Sequence, residues 1–412
     1  MPEQIDSFEY QSESRFIIQC SQTTVDTEKI RSDFANMCRP LNWPYIIKIA
    51  GRNGLLPLVC SNILHKLPDL VDEEVRESLA DFLGGHMRNN LLQTRKVIEI
   101  SETLEAEGIP ILPFKGPTLS IQAYGDISLR QFVDLDILVQ PRHFDKAIQR
   151  LKACGYIPIE EPTWLKRKSL FFTRKKDIGL VSADRQVRIE LHWKLSGTHF
   201  AMPFEIDQLW KRLDAIELGG AKLRALPLCD LFVYLCLHGS RHGWEKLAWV
   251  CDINEIVRGA ESSAKIDWCE VQRHARKHGC ERAVELGLFL VHDLFGRKAQ
   301  HPEIDAILNN PSFKSIAEDL RNTAFAPEFR STEMKGWYLY HLSLKERLVD
   351  RFRIRLVYLI WYLKLAVKPN EMDEAVLKLP AVFSLLYYVV RPLRLAITLP
   401  RKKNSPGLTD RL

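Results

Sequence analysis

The stretch that most constrains the fold of this chain is Val133 to Val139, VDLDILV. Read as a β-strand, alternation puts Val133, Leu135 and Ile137 on one face and Asp134 and Asp136 on the other. Same-face neighbours on a strand stand roughly 6–7 Å apart. Two carboxylates at that distance repel by roughly 2–3 kcal/mol at an effective dielectric of about 20. An apolar strand carrying such a pair needs a cation there or full exposure to water. Oxygen-only ligands at this spacing suit Mg2+, commonly held by one or two carboxylates together with substrate phosphates. The rival reading is an edge strand whose charges discourage aggregation.

Around this strand the period changes. Ile109–Phe114 reads as a short strand ending in Lys115-Gly116-Pro117, followed by a helix over Thr118–Tyr124 and a turn at Gly125-Asp126. After it come a helix over His143–Cys154 and strands at Tyr156–Ile159, Leu170–Thr173 and Val187–Trp193. That order makes a small α/β unit with a mixed sheet. A chain of 412 residues exceeds the size at which one core stops growing. The expected class is α+β, a mixed α/β core flanked by N-terminal and C-terminal helical domains. Residues 1–27 read as a loose arm and 28–108 as a helical domain, with separate helices over Asp72–Leu83 and His86–Glu107. The core spans 109–200, a second helical domain 201–343, and a basic, aromatic tail 344–412, its last dozen residues disordered.

Nine scattered cysteines without C-x-x-C pairing point to reduced thiols in a cytoplasmic protein, with neither a disulfide frame nor a zinc site. The N-terminus has no basic and apolar leader, and no apolar run is long enough to span a bilayer. A net charge of +6 demands no polyanionic partner, and there is no strong nucleic-acid signature. The tail interleaves Arg351, Arg353, Arg355 and Lys364 with Phe352, Leu359 and Trp361. The plainer reading is an amphipathic helix closing a domain core; the other is peripheral contact with an anionic membrane surface.

A third acid is expected on VRIELHW, where Glu190 shares a face with Arg188 and His192. Were that strand beside VDLDILV, three carboxylates would converge. Such a trio can hold two divalent ions that clamp the attacking and leaving oxygens of a phosphoryl transfer. Asp134, Asp136 and Glu190 are thus both the metal and the catalytic candidates, with two Mg2+ expected and Mn2+ as the substitute. Lys115, Gly116, Arg130 and His192 are the phosphate-side candidates, Arg130 in bidentate fashion. Lys115 and Arg130 could instead merely neutralise the acids, and His192 could be a packed residue beside Trp193. Tyr124 reads more readily as packing. His238 and His242 lie four apart, a metal-ligand spacing without a third zinc ligand in register. HGSRHGWEKLAW, with Asp252 just beyond it, is either a wall of the pocket or a packed bend.

PFKGPTLSIQAYGDISLRQFVDLDILV resembles the start of a DNA polymerase beta-like nucleotidyltransferase domain. With ELHW following, the F-K-G…Y…R…D-x-D-x-L-V run is similar to an uncharacterised bacterial nucleotidyltransferase family. That resemblance implies a glycine turn at Gly116 touching a nucleoside triphosphate, Mg2+ on Asp134 and Asp136, and Glu190 as the third acid. It also implies a leading helical domain and a helical tail ending near Arg391-Pro392. The reaction implied is transfer of a nucleoside monophosphate to a hydroxyl of an acceptor that is a saccharide, a lipid or a peptide. One departure stands out: Gly116 is followed by Pro117, which has no N–H to offer a phosphate. The rivals are therefore a degenerate fold serving as a binding or scaffold protein, and an RNA-modifying relative.

Overall fold

A computed structural model describes residues 11–35, 40–160, 176–195, 206–263, 266–328, 334–367, 373, 377 and 386–398. The chain divides into two compact units, Met1–Arg330 and Ser331–Leu412. The first unit takes in the sheet and the helical segments on both sides of it, and the second begins at Ser331.

The centre of the first unit is a five-stranded sheet of β1 (Ile111–Pro113), β2 (Leu135–Val139), β3 (Tyr156–Pro158), β4 (Asp177–Ser182) and β5 (Arg188–His192). Its order is β1-β2-β5-β4-β3. Only β2 and β5 run parallel; the other pairs are antiparallel. Period-two alternation sends Leu135, Ile137, Ile189 and Leu191 to one face, where they join Val97, Ile100 and Leu104 and the helix residues Phe144, Ala147 and Ile148 in one core. The opposite face keeps Asp136, Glu190 and His192. Val133 departs from its expected inward place: it precedes β2 and is 73% exposed. The strand expected at Leu170–Thr173 lies outside the described residues, and β4 begins just after it.

Five helices precede the sheet: α1 (Gln11–Cys20), α2 (Thr27–Ala35), α3 (Trp43–Arg52), α4 (Leu56–Lys66) and α5 (Glu73–Glu105). The loose arm is corrected over α1, where Phe16, Ile17 and Cys20 are fully buried and the Phe16 ring meets Phe34 and Trp43 edge-on. Three apolar residues in a polar stretch make a stripe too narrow to stand out, yet wide enough to pack. The two helices expected over Asp72–Glu107 are one, 33 residues long. Asp72 caps it by accepting from the Val75 amide. Gly84 and Gly85 cost about 1 kcal/mol each in a helix interior, which burial of Val97, Ile100 and Leu104 outweighs.

After α6 (Phe144–Ala153) and the sheet, a hairpin of β6 (Asp214–Leu218) and β7 (Ala221–Ala225) interrupts the segment expected to be helical. Gly219 and Gly220 take φ of +57° and +82°, as such a tight turn requires. Then come α7 (Leu228–Arg241), α8 (Leu247–Ser263), α9 (Trp268–His278), α10 (Glu281–Phe295) and α11 (Pro311–Ala324). The α7–α8 bend has Gly243 and Trp244 at φ of +58° and +56°, with Trp244 wholly buried. HGSRHGWEKLAW is thus a packed bend that also presents His238 and His242 to a cleft.

The second unit holds α12 (Met334–Ser343), α13 (Leu348–Val367) and α14 (Tyr387–Thr398). Buried Asp373 ties Arg391 and Arg394 at 3.1 and 2.6 Å. The helix α13 buries Asp350 and Ile354 but leaves Phe352, Leu356 and Leu359 exposed, so it does not simply close a core. No helix among the described residues is long and apolar enough to cross a membrane.

The bend gives a direct test. A Cβ added at Gly239 would fall 2.4 Å from the Trp244 ring. Gly239→Ala should lower unfolding free energy by about 1–3 kcal/mol through overpacking, read from urea midpoints at constant m-value.

Candidate active site

The site is built on the parallel pair. Asp136 sits opposite Glu190 in register, and both point away from the apolar core. Asp136 is only 3% exposed. Lys115, on the turn after β1, donates to its Oδ1 at 3.1 Å, and His192 Nε2 lies 3.0 Å from the same oxygen. Burial alone would raise the Asp136 carboxyl, but Lys115 and His192 reverse this and hold it far below the usual carboxylate range. Burial opposes the Lys115 ammonium, and Asp136 outweighs it, so Lys115 stays firmly charged. Glu190 is lowered chiefly by its hydrogen bond with His192, whose Nε2 stands 3.5 Å from Glu190 Oε2.

Ligand atoms of Asp136, Glu190 and His192 lie within 4.8 Å of one another. The close-set trio is therefore not the expected Asp134, Asp136 and Glu190. Asp134 lies just ahead of β2, beside the outward-turned Val133, and lines the same cleft. Burial, then repulsion from Asp136 and Glu190, raises its carboxyl. Among the described residues it forms no ion pair. A raised, unpaired carboxyl beside two ionised acids is the electrostatic condition that a divalent cation relieves. The donor chemistry fits one as well: three carboxylates suit Mg2+ or Mn2+, and a histidine bonded to a ligating carboxylate is the usual way such a ligand is oriented.

The cleft above these acids has a volume of about 550 Å³. Gly116, at φ +57°, forms its edge, with its Cβ position 3.4 Å from the Asp134 carbonyl. The far wall comes from α7 and α8 and consists of Tyr234, His238, His242 and Trp249. The His238 ring meets His242 at 4.9 Å and Trp249 at 5.1 Å between centroids. Burial pushes His238 well below the ordinary imidazole value and pushes the Tyr234 phenol up to about 12. Arg241, Lys246 and Lys176 add positive charge at the rim. Sequence reasoning missed Tyr234, as well as Asp177, whose Oδ2 is 3.6 Å from His192 Nδ1, whereas Arg241, Lys246 and Trp249 fall within HGSRHGWEKLAW, the stretch read as a pocket wall or a packed bend. Asp177 could have been found only by recognising D-I-G-L-V as a strand.

Three other candidates form a buried network, of which Arg130 also lines the cleft. Arg130 Nε and Nη2 donate to Asp252 Oδ1 and Oδ2 at 2.9 and 3.1 Å, and Tyr124 donates to Oδ1 at 2.9 Å. Asp252 is fully buried and does not line the cleft. The bidentate grip expected for Arg130 thus closes on a carboxylate of α8 rather than on a phosphate. Asn90 fixes this loop by donating to the carbonyls of Ile127 and Arg130 at 2.6 and 3.1 Å.

Residues 39–296, over half of the chain, match the family described as uncharacterised nucleotidyltransferase. The chain belongs to that family. It is a nucleotidyltransferase, and every cleft residue named above falls within the matched span. Among solved structures it is similar to the antibiotic-resistance factor ANT(2'')-Ia, at 8% identity over 46% of this chain and 91% of that one. With a TM-score of 0.32 that likeness carries no argument here. No curated protein matches the chain.

In this nucleotidyltransferase, Asp252→Ala would strand the Arg130 guanidinium in the interior. The expected loss is about 3–5 kcal/mol, while the pair replacement Arg130→Met with Asp252→Leu recovers most of it; comparing urea midpoints of the three proteins checks this.

Proposed function

We propose that the cleft catalyses Mg2+-dependent transfer of a nucleoside monophosphate from a nucleoside triphosphate to a hydroxyl group of an acceptor, with pyrophosphate leaving in line. The observation that carries this reading is the in-register pair Asp136 and Glu190 with Asp134 unpaired beside them. Asp136 and Glu190 would hold one ion and Asp134 with Asp136 a second; when bound, such ions polarise the phosphoryl oxygens and stabilise the attacking and leaving oxygens.

The chain's own groups do the rest. Lys115 keeps Asp136 ionised and brings positive charge to the phosphate side of the cleft. His192 orients Asp136 from within the sheet. Glu190, partly exposed at the cleft, receives the proton from the acceptor hydroxyl. Tyr234, His238, His242 and Trp249 offer flat ring faces on which a base can stack. Because Pro117 supplies no amide, side chains carry most of the phosphate charge, with Arg241 and Lys246 at the rim.

Charge favours an acceptor other than nucleic acid. Residues 331–412 hold 15 Lys and Arg against seven Asp and Glu, which leaves residues 1–330 at −2 out of the total of +6. A unit of that net charge offers little of the overall attraction on which RNA binding draws. A saccharide, lipid or peptide hydroxyl remains the acceptor class.

The test is incubation with each labelled nucleoside triphosphate, Mg2+ and cell extract, followed by mass spectrometry of the labelled product. Label should be transferred by wild type, fall about 100-fold or more in Glu190→Gln and Asp136→Ala, and vanish on chelation of the metal. Calorimetry showing no binding of any nucleotide to wild type with Mg2+ would sink the proposal.

A further inference from the structure

We propose that the unit Ser331–Leu412 is an interfacial module that seats α13 on an anionic lipid surface. The inference is independent of the cleft and rests on three features of this unit. The first is an apolar stripe that no described residue of the unit covers. Leu348, Phe352, Leu356, Leu359, Leu363 and Val367 are all exposed, Phe352 at 64% and Leu348 at 79%. At about 100° per residue they fall within an arc of roughly 100°. The stripe runs the full 20 residues of α13, about 30 Å of helix.

The second feature is where the charges stand. Arg353 and Arg355 are exposed, and the same helical periodicity puts them on the two margins of the stripe. Arginines so placed can lie over the apolar edge and reach phosphate headgroups while the stripe enters the acyl boundary. Asp350, the one acid on α13, is buried away from the stripe, with Arg353 Nη1 3.4 Å from its Oδ1 while the Arg353 side chain stays 60% exposed.

Third, the whole unit carries a net charge of +8 by the residue count given above, against −2 for the rest of the chain. An apolar stripe flanked by exposed Arg353 and Arg355, in a stretch of that net charge, is complementary to anionic lipid. A polyanion such as RNA would answer the charge but leave the stripe in water, and a second copy would answer the stripe but set +8 against +8. Since no described helix can cross a bilayer, the geometry is that of a helix lying in the interface.

The experiment is flotation of the full chain with vesicles of phosphatidylcholine alone or with 30% phosphatidylglycerol (about one lipid in three anionic), together with light scattering of the protein alone. Wild type should float with the anionic vesicles at low salt, at least tenfold more than with neutral ones. Raising the salt should release it. Phe352→Glu with Leu359→Glu should abolish flotation at unchanged thermal midpoint. Arg353→Glu with Arg355→Glu should remove the preference for anionic lipid. The proposal is overturned if wild type fails to float, if neutral and anionic vesicles bind equally, or if RNA is retained where vesicles are not. It is equally overturned if wild type is a dimer that Phe352→Glu with Leu359→Glu splits.

Discussion

A carboxylate almost out of contact with water is the constraint on which the rest of this nucleotidyltransferase depends. Burial by itself pushes the Asp136 carboxyl toward its neutral form, and a neutral acid is a poor ligand for a metal. Lys115 and His192 bond to one of its oxygens and keep the charge in place. The arrangement requires β1, β2 and β5 to lie side by side, because each brings a member. The sheet order is therefore a condition for the charge, and the charge is a reason for the sheet to keep that order.

The parallel pairing of β2 with β5 is the feature that makes neighbours of Asp136 and Glu190. A shift of one residue would turn Glu190 into the apolar core and expose Leu191 or Ile189 to the cleft. The apolar face guards against this: Leu135, Ile137, Ile189 and Leu191 are at most 1% exposed. Packing on one side of the sheet thus sets the register of the chemistry on the other. Behind it, Arg130, Tyr124 and Asp252 join the loop ahead of β2 to α8, so the acidic floor and the aromatic wall are fixed relative to each other.

Much of this was legible because period-two alternation is a strong local signal. VDLDILV and VRIELHW each announce a strand with acids on one face. What failed was long-range. The fork of Arg130 suits a phosphate as well as a carboxylate, and its actual partner lies 122 residues away. Lys115 could be read as a phosphate ligand or as a counter-ion; the structure has it bonded to Asp136. The strand β4 was missed because its Gly179 and leading charges hide the alternation, and with it Asp177. The helix α1 was missed because three apolar residues suffice to bury a side when a ready-made groove awaits them. His192 was read correctly as near the acids, yet nothing local says that it, rather than Asp134, completes the close-set trio.

The turn at Gly116-Pro117 has one more consequence. Where main-chain amides cradle a phosphate, recognition is written into the backbone and survives most side-chain changes, a change to proline being the exception. Pro117 has no such amide, so under the proposed function the phosphate charge would fall to lysine and arginine side chains. Each of those can be exchanged, lengthened or lost by point mutation without disturbing the sheet. Under the proposed function, the grip on the donor could therefore be altered by substitution while the acidic floor of the sheet is left as it is.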